Sequence, residues 1–594
     1  MEVSETIMKE KSDTTHTNDS NNSNNSNNIK TKIWLLLFAI KVILVFAIMF
    51  YTVMRVNWTW GHLLYGSISI GAAFILSQLF WRKFKIVGYL LSSFLIFVSN
   101  VNLVVLGVSG TFTTFIMWNN LANLEALGDA LALYTAIMIG VLLVSFLPTH
   151  LSLLDGGMVS IEKNSFKVRF SLKWVGLLVV ILGLALPFYR NETRVPLVAW
   201  NSLIQERALF HEKAANLVVY PYTREEIYQM FWRDGVASGI DTGLEQPNLI
   251  IFFAEGVGTE IFDIHNDLGL NLTPNLNAFA EQVIRFENYF SHTAATYRGI
   301  RGQLSSSFQF FEGFENGIGG TAALLDTEII SLQDILGGLG YTTTFVNPEP
   351  NLLRWTRYAQ LLGFDYLISG GPEDWRDLSG RGILTDQSNF QSVYQEARRK
   401  NEEIHPFFIV SYVLETHLGF ESMATFGDGS NNYLNKYHNL DNAFGYFWEN
   451  FRNSPLYDNT IVVFTSDHPA FPTPDFQNTF QTNRTQFLGT IPLMIYYPGV
   501  QPMVIDVGGR NSVSLAPTVL DIMGLEETPN YFLGNSLFVE EVSGFQFLNF
   551  MGGEVVNTRN VTEENMRYHR ANIETDLILL DELRMFFKIS LNYE

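Results

Sequence analysis

Four short segments carry side chains able to bind a divalent metal or attack phosphorus: Phe253-Ala254-Glu255, His292-Thr293-Ala294-Ala295-Thr296, Leu414-Glu415-Thr416-His417 and Phe464-Thr465-Ser466-Asp467-His468. Glu255, Asp467 and His468 offer two carboxylates and one imidazole, a donor set suited to Mn²⁺, Mg²⁺ or Zn²⁺. A hydroxyl bound to the same ion loses its proton more easily, which turns a threonine into a usable nucleophile. Thr296 is the candidate, and Thr293, one turn earlier, is the competing hydroxyl or a helix cap. His292 is a candidate substrate or outer metal contact. Arg298 and Arg301 follow Thr296 one turn apart, where two guanidinium groups clamp an anionic substrate or form ion pairs on a helix surface. The chain has no cysteine, which excludes thiol nucleophiles and cysteine metal sites.

These groups need a scaffold that ends several chain segments at one place. From Pro247 onward, short apolar runs alternate with helix-sized segments: Asn248–Ala254, Thr342–Asn347, Pro406–Leu414, Thr460–Thr465 and Ile491–Tyr497. Such a rhythm predicts a mostly parallel sheet covered on both faces. Ligands of such sheets bind outside the carboxyl ends of the strands. Glu255, His417, Asp467 and His468 all fall at that end of an expected strand.

The rest of the chain reads differently. Five apolar stretches precede residue 192, roughly Ile33–Met54, Gly61–Trp81, Ile86–Val108, Ala130–Leu147 and Trp174–Tyr189, each near the length needed to cross a bilayer. Lys30 and Lys32 precede the first; Arg82, Lys83 and Lys85 separate the second and third; Lys163, Lys167, Arg169 and Lys173 separate the fourth and fifth. This bias places the start of the chain in the cytoplasm and everything after about residue 190 outside the membrane. Lys41 interrupts the first stretch, and a cation there needs a partner or a function. Residues 12–28, rich in Asn, Ser and Thr, read as a disordered tail. The net charge of −21 excludes the basic face a nucleic-acid-binding protein needs.

Asn248-Leu249-Ile250-Ile251-Phe252-Phe253-Ala254-Glu255, Asn288-Tyr289-Phe290 with Thr296-Tyr297-Arg298-Gly299, Thr416-His417 and Ser466-Asp467-His468 together resemble the sulfatase-type domain of the lipoteichoic acid synthase and phosphoglycerol transferase family. Leu515-Ala516-Pro517-Thr518-Val519-Leu520-Asp521-Ile522-Met523-Gly524 is similar to a helix that closes many domains of this alkaline-phosphatase-like superfamily. The resemblance covers roughly residues 245–540. It implies a five-helix transmembrane domain followed by an α/β sulfatase-like extracytoplasmic domain. By residue, this gives a cytoplasmic tail at 1–32, membrane helices at 33–190, a juxtamembrane linker at 191–246, a catalytic domain at 247–540 and a C-terminal extension at 541–594.

The resemblance further implies that Glu255, Thr296, Asp467 and His468 hold a manganese ion and that Thr296 becomes covalently phosphoglycerylated. His417 contacts the substrate phosphate or assists the leaving oxygen. A family arginine that binds glycerol phosphate precedes a segment like Leu362-Gly363-Phe364-Asp365, and both Arg354 and Arg357 fit it. Trp355, Trp375 and Phe420 are candidates to line the cleft. The implied donor is phosphatidylglycerol or a related membrane lipid, and the acceptor a glycan or polymer hydroxyl. A related phosphoethanolamine transferase would use the same covalent route but typically carries disulfides and zinc. A sulfatase would need a Cys or Ser where this chain has Thr-Tyr-Arg-Gly.

Overall fold

The computed structural model describes residues 36–37, 39–52, 54, 85–109, 113, 131–147, 222–308, 329–349, 353–369, 383–403, 405–422, 424–484, 487–551, 554–562, 569–570 and 574–590. The chain divides into two compact units, one amino-terminal and one holding everything described from residue 222 onward.

The amino-terminal unit contains helices Ala39–Thr52, Lys85–Ser109 and Leu131–Phe146. Within the second, Tyr89–Val108 is the one helix among the described residues long and apolar enough to cross a membrane. The expected second and fifth stretches, and the tail, lie outside the described residues. Lys41 is buried, and its Nζ donates to the carbonyls of Ser145 at 2.6 Å and Leu147 at 2.8 Å. It therefore satisfies carbonyls that the end of helix Leu131–Phe146 leaves without intrahelical partners, at the pole where a cation is favoured. Lys41→Glu turns a donor into an acceptor facing two carbonyls. It is expected to cost roughly 3 kcal/mol and to lower the thermal midpoint of the purified chain, whereas Lys41→Arg stays close to wild type.

The larger unit is built on an eight-stranded sheet in the order β4-β3-β5-β1-β6-β7-β2-β8. Its strands are β1 (Asn248–Ala254), β2 (Ile284–Glu287), β3 (Thr342–Asn347), β4 (Tyr366–Ser369), β5 (Phe407–Val413), β6 (Thr460–Ser466), β7 (Leu493–Tyr496) and β8 (Met503–Asp506). All neighbours pair in parallel except at β7, which runs antiparallel to both β6 and β2. The five runs expected from sequence are present as β1, β3, β5, β6 and β7. The short strands β2, β4 and β8 were not expected.

Burial follows the pleat. Leu249, Ile251 and Phe253 of β1 join one apolar cluster and Ile250, Phe252 and Ala254 the other, so both faces of the sheet are covered. Helix Asn432–Arg452 starts at Asn431, whose side chain accepts from the amides of Tyr433 and Leu434. It lays Phe444, Phe447, Trp448 and Phe451 on the second face, with Phe447 4.8 Å from Phe252 between ring centroids.

The central register brings the chemistry together. Ala254 pairs with Val413 on one side and with Ser466 on the other, so the residues just beyond all three strands emerge side by side.

Segments flanking the sheet pack onto the same unit. Asp521, on helix Leu515–Ile522, accepts from the amide of Gly239 at 3.0 Å and that of Ile240 at 3.3 Å. A three-stranded sheet of β9 (Leu548–Met551), β10 (Glu554–Asn557) and β11 (His569–Arg570) and the helix Glu574–Ser590 complete it. Phe545, Leu548, Phe550 and Phe586 share an apolar cluster with Ile227 and Val513. The amide of Phe550 donates to the carbonyl of His292 at 2.8 Å, tying the small sheet to the segment that leads into Thr296.

Candidate active site

Glu255, Asp467 and His468 are all buried, and one ligand atom from each lies within 4.8 Å of the others. His468 Nε2 is 3.3 Å from Asp467 Oδ2 and 3.6 Å from Glu255 Oε1. The other ring nitrogen, Nδ1, is 3.0 Å from the carbonyl of Pro469, which only an N–H can satisfy. That assigns the proton to Nδ1 and leaves Nε2 as a lone-pair donor facing the carboxylates. Asp467 is fixed through Oδ1, which accepts from the amides of Gly256 at 2.9 Å and His468 at 2.7 Å. Its Oδ2 is buried with no hydrogen-bond partner.

Thr296 closes the cluster. Its Oγ1 donates to Glu255 Oε2 at 2.9 Å and stands 3.5 Å from His468 Nε2. Tyr412, on β5, also donates to Glu255 Oε2. Sequence reading missed Tyr412; its only signal was a hydroxyl near the carboxyl end of a strand adjoining that of Glu255.

Burial and the neighbouring Glu255 push the Asp467 carboxyl up to about 7. Burial also opposes ionisation of Glu255, but His468, His417 and the hydroxyls of Tyr412 and Thr296 outweigh it and hold that carboxyl below its usual range. A divalent cation fits these residues: it would partner the orphaned Asp467 Oδ2, remove the penalty on the second carboxylate and accept the Nε2 lone pair.

The helix Thr296–Ser305 starts at Ala295, which no side chain caps and which has φ 79° and ψ 130°. This is a backbone conformation that an L-residue adopts only under strain, and such strain collects at functional sites. Two glycines let the helix close on its neighbours. A Cβ at Gly299 would stand 2.2 Å from the carbonyl oxygen of Asp467, and one at Gly302 would stand 2.1 Å from His292 Nε2. Gln303 Nε2 donates to the carbonyl of Ser466 at 2.8 Å on the same side. Gly299→Ala is expected to cost roughly 3 kcal/mol and to push Thr296 away from Glu255, read as a lower thermal midpoint together with loss of activity.

Thr293 does not cap the helix; its Oγ1 contacts the neighbouring carbonyl of Ala294 at 3.3 Å. His292 is fully buried, with Nδ1 2.6 Å from Ser512 Oγ and its ring edge-on to Phe308. Burial holds its pKa down at about 3, against an ordinary 6.5. The unfolded chain therefore takes up this proton first as pH falls, so the contribution is complete above about pH 6.5 and declines toward pH 3. His292→Asn is expected to flatten the acid limb of a thermal-midpoint titration across that window.

His417 lies in the loop after β5, with a buried, unpartnered Nδ1 and its ring 5.5 Å from that of Phe420. Burial pushes its pKa down, against the pull of Glu255. Its loop is pinned at several points: Lys436 Nζ donates to the carbonyl of His417 at 2.7 Å, and the Thr416 hydroxyl donates to the carbonyl of Glu255. Trp355 is core, donating to Asn347 and stacking on Tyr358 with centroids 5.4 Å apart. Arg354 and Arg357 lie on helix Leu353–Gln360, but their side chains, like Trp375, are outside the described residues. Arg298 lies on the same helix as Thr296 but about 200° around its axis.

This constellation on a mostly parallel sheet agrees with the comparisons. Residues 247–525 match the sulfatase family model, and this part of the chain is a sulfatase-family domain. Phosphoglycerol transferase I of Citrobacter koseri is 26% identical over 299 residues, covering 47% of this chain and 38% of that protein. Lipoteichoic acid synthase 1 of Bacillus subtilis is 23% identical over 361 residues, covering 53% of each. The chain thus spans about half the length, or less, of these curated relatives. The solved lipoteichoic acid synthase LtaP from Listeria monocytogenes superposes with a TM-score of 0.47 at 16% identity, covering 63% of this chain and 98% of that one.

Proposed function

We propose that this protein is a membrane-anchored, metal-dependent transferase that moves phosphoglycerol from phosphatidylglycerol to a glycan or polymer hydroxyl through a phospho-threonine intermediate. The observation that carries this reading is the Thr296 hydroxyl, 2.9 Å from Glu255 Oε2 and beside Asp467 and His468 at the carboxyl ends of the two central strands. The names of the two curated relatives, phosphoglycerol transferase I and lipoteichoic acid synthase 1, support the choice of substrate class.

Glu255, Asp467, His468 and Thr296 would hold one divalent cation, with manganese the proposed metal, which would acidify the threonine hydroxyl and offset charge on the phosphate. Thr296 Oγ1 gives its proton to Glu255 Oε2 and forms a bond to phosphorus, while the bond from phosphorus to the diacylglycerol oxygen breaks. His417, on the same rim and held neutral by burial, donates a hydrogen bond to the departing oxygen, which takes its proton from solvent. The acceptor hydroxyl then bonds to phosphorus and gives its proton to solvent, the bond to Oγ1 breaks, and Thr296 recovers its proton from Glu255. Arg354 or Arg357 is proposed to hold the glycerol phosphate, and His292 to support the segment before the nucleophile.

Five membrane spans within residues 33–190 and an extracytoplasmic catalytic unit are part of the same proposal, as is the division at 32, 190, 246 and 540. The lysine and arginine bias supports the orientation, and a headgroup confined to the bilayer surface gives anchoring a purpose. The test is intact-mass and peptide analysis of the full chain after incubation with phosphatidylglycerol and Mn²⁺. A phosphoglycerol adduct on the peptide containing Thr296 is the expected result. An ethanolamine phosphate taken only from phosphatidylethanolamine would replace the donor, and an adduct on Thr293 would move the nucleophile.

A further inference from the structure

Four side chains that the reaction above leaves unused grip the loop carrying His417. Glu415 and Asp386 each take the other's amide: Glu415 Oε2 accepts from the Asp386 amide at 2.6 Å, and Asp386 Oδ1 accepts from the Glu415 amide at 3.0 Å. Asp386 is the first residue of helix Asp386–Glu402, which Thr385 caps by accepting from the amide of Ser388 at 3.1 Å. Helix Asn432–Arg452 holds the same loop. Its Asn439 Nδ2 donates to Glu415 Oε2 at 2.9 Å, and Lys436, one turn earlier, donates from Nζ to the carbonyl of His417 at 2.7 Å. Two helices therefore fix the loop at Glu415 and at His417.

Capping a helix does not by itself call for this arrangement, because a hydroxyl or an amide would serve the Asp386 N–H without setting two carboxyl groups together. Asp386 is fully buried, and its Oδ2 has no hydrogen-bond partner among the described residues. Burial and the neighbouring Glu415 push its carboxyl above the ordinary range, which favours the neutral acid. What the pair adds is a bracket of two opposed hydrogen bonds, which sets the distance between the helix start and the loop more narrowly than one bond does. One turn along the same helix, Asn389 donates to the carbonyl of Tyr412 at 2.6 Å. A single helix start thus holds the strand that presents Tyr412 to Glu255 and the loop that presents His417.

We propose that Asp386, Glu415, Lys436 and Asn439 are positioning residues for His417, which together hold its ring where it meets the departing oxygen without themselves touching substrate. This rests on the role given to His417 in the transferase reading. Misplacing a catalytic group by about 1 Å from a distance costs on the order of 100-fold. Here the cost falls on the departure of the diacylglycerol oxygen, the one event in adduct formation that uses His417.

The test compares two donors by the rate at which the Thr296 adduct forms in a single turnover of the full chain with Mn²⁺. One is phosphatidylglycerol. The other is p-nitrophenyl glycerol phosphate, whose leaving oxygen disperses its charge into the ring and depends little on a donated hydrogen bond. The readout is the ratio of the first rate to the second, which a general loss of folded protein does not move. Asp386→Ala and Lys436→Met are each expected to lower that ratio about tenfold or more, with His417→Ala lowering it at least as far. Asp386→Asn, neutral and of the same shape, keeps an acceptor for the Glu415 amide and should hold the ratio close to wild type. An unchanged ratio in both Asp386→Ala and Lys436→Met, with His417→Ala low, overturns the positioning role alone. An unchanged ratio in His417→Ala removes the role of His417 and the positioning role with it. No adduct from either donor in wild type overturns the transferase reading itself, a result distinct from both.

Discussion

Thr296→Ala should lower turnover by about 10⁴-fold or more while the protein stays folded and still binds metal. The alanine keeps the backbone of the helix start and removes, with the γ-methyl, the oxygen that touches Glu255 and stands beside His468. The thermal midpoint should move little, because Thr296 is partly exposed and caps nothing. The decisive measurement pairs a turnover assay with peptide mass analysis, since both the activity and the covalent adduct should vanish together. Full activity in Thr296→Ala would end the covalent mechanism. Loss of activity with an adduct still formed on another residue would keep the reaction class and reassign the nucleophile.

Asp467→Ala should empty the metal centre. Asp467 is the only one of the three ligands with a buried oxygen that has no protein partner, so its removal takes away a direct donor and half of the carboxylate charge. Changes to groups that merely orient metal ligands already cost 10–100-fold in affinity, and a direct ligand should cost roughly 100-fold or more. Metal content per chain by elemental analysis is the readout, with activity falling in parallel and not returning in micromolar Mn²⁺. An Asp467→Ala protein that retains one tightly held metal ion would remove this residue from the site.

Much of the scaffold was legible because buried parallel strands leave a plain signature. Asn248-Leu249-Ile250-Ile251-Phe252-Phe253-Ala254 and Thr460-Ile461-Val462-Val463-Phe464 have no polar side to disguise them, so both strands and the residues just beyond them stand out in sequence. The strands that escaped notice are four residues long; β8 is largely exposed and β4 holds no fully buried residue, so burial does not mark either as a strand. The metal ligands were readable as groups misplaced at the tips of apolar strands. Tyr412 was not, because a tyrosine inside a strand reads as ordinary core until its hydroxyl is seen on Glu255. The glycines of Thr296-Tyr297-Arg298-Gly299-Ile300-Arg301-Gly302 were equally silent: the need for them arises from the carbonyl of Asp467 and the ring of His292, both brought there by tertiary structure.

The tie between Phe550 and His292 bears on where this protein can be cut. The family match ends at residue 525, yet the strand that steadies the approach to Thr296 begins at Leu548. A fragment trimmed to the matched segment would keep every metal ligand and still lose a hydrogen-bonded neighbour of the nucleophile segment, while uncovering Val513 and its apolar surroundings. The unit of homology and the unit of folding are therefore different lengths of the same chain, and recombination or truncation at the homology boundary would separate the nucleophile from part of its support.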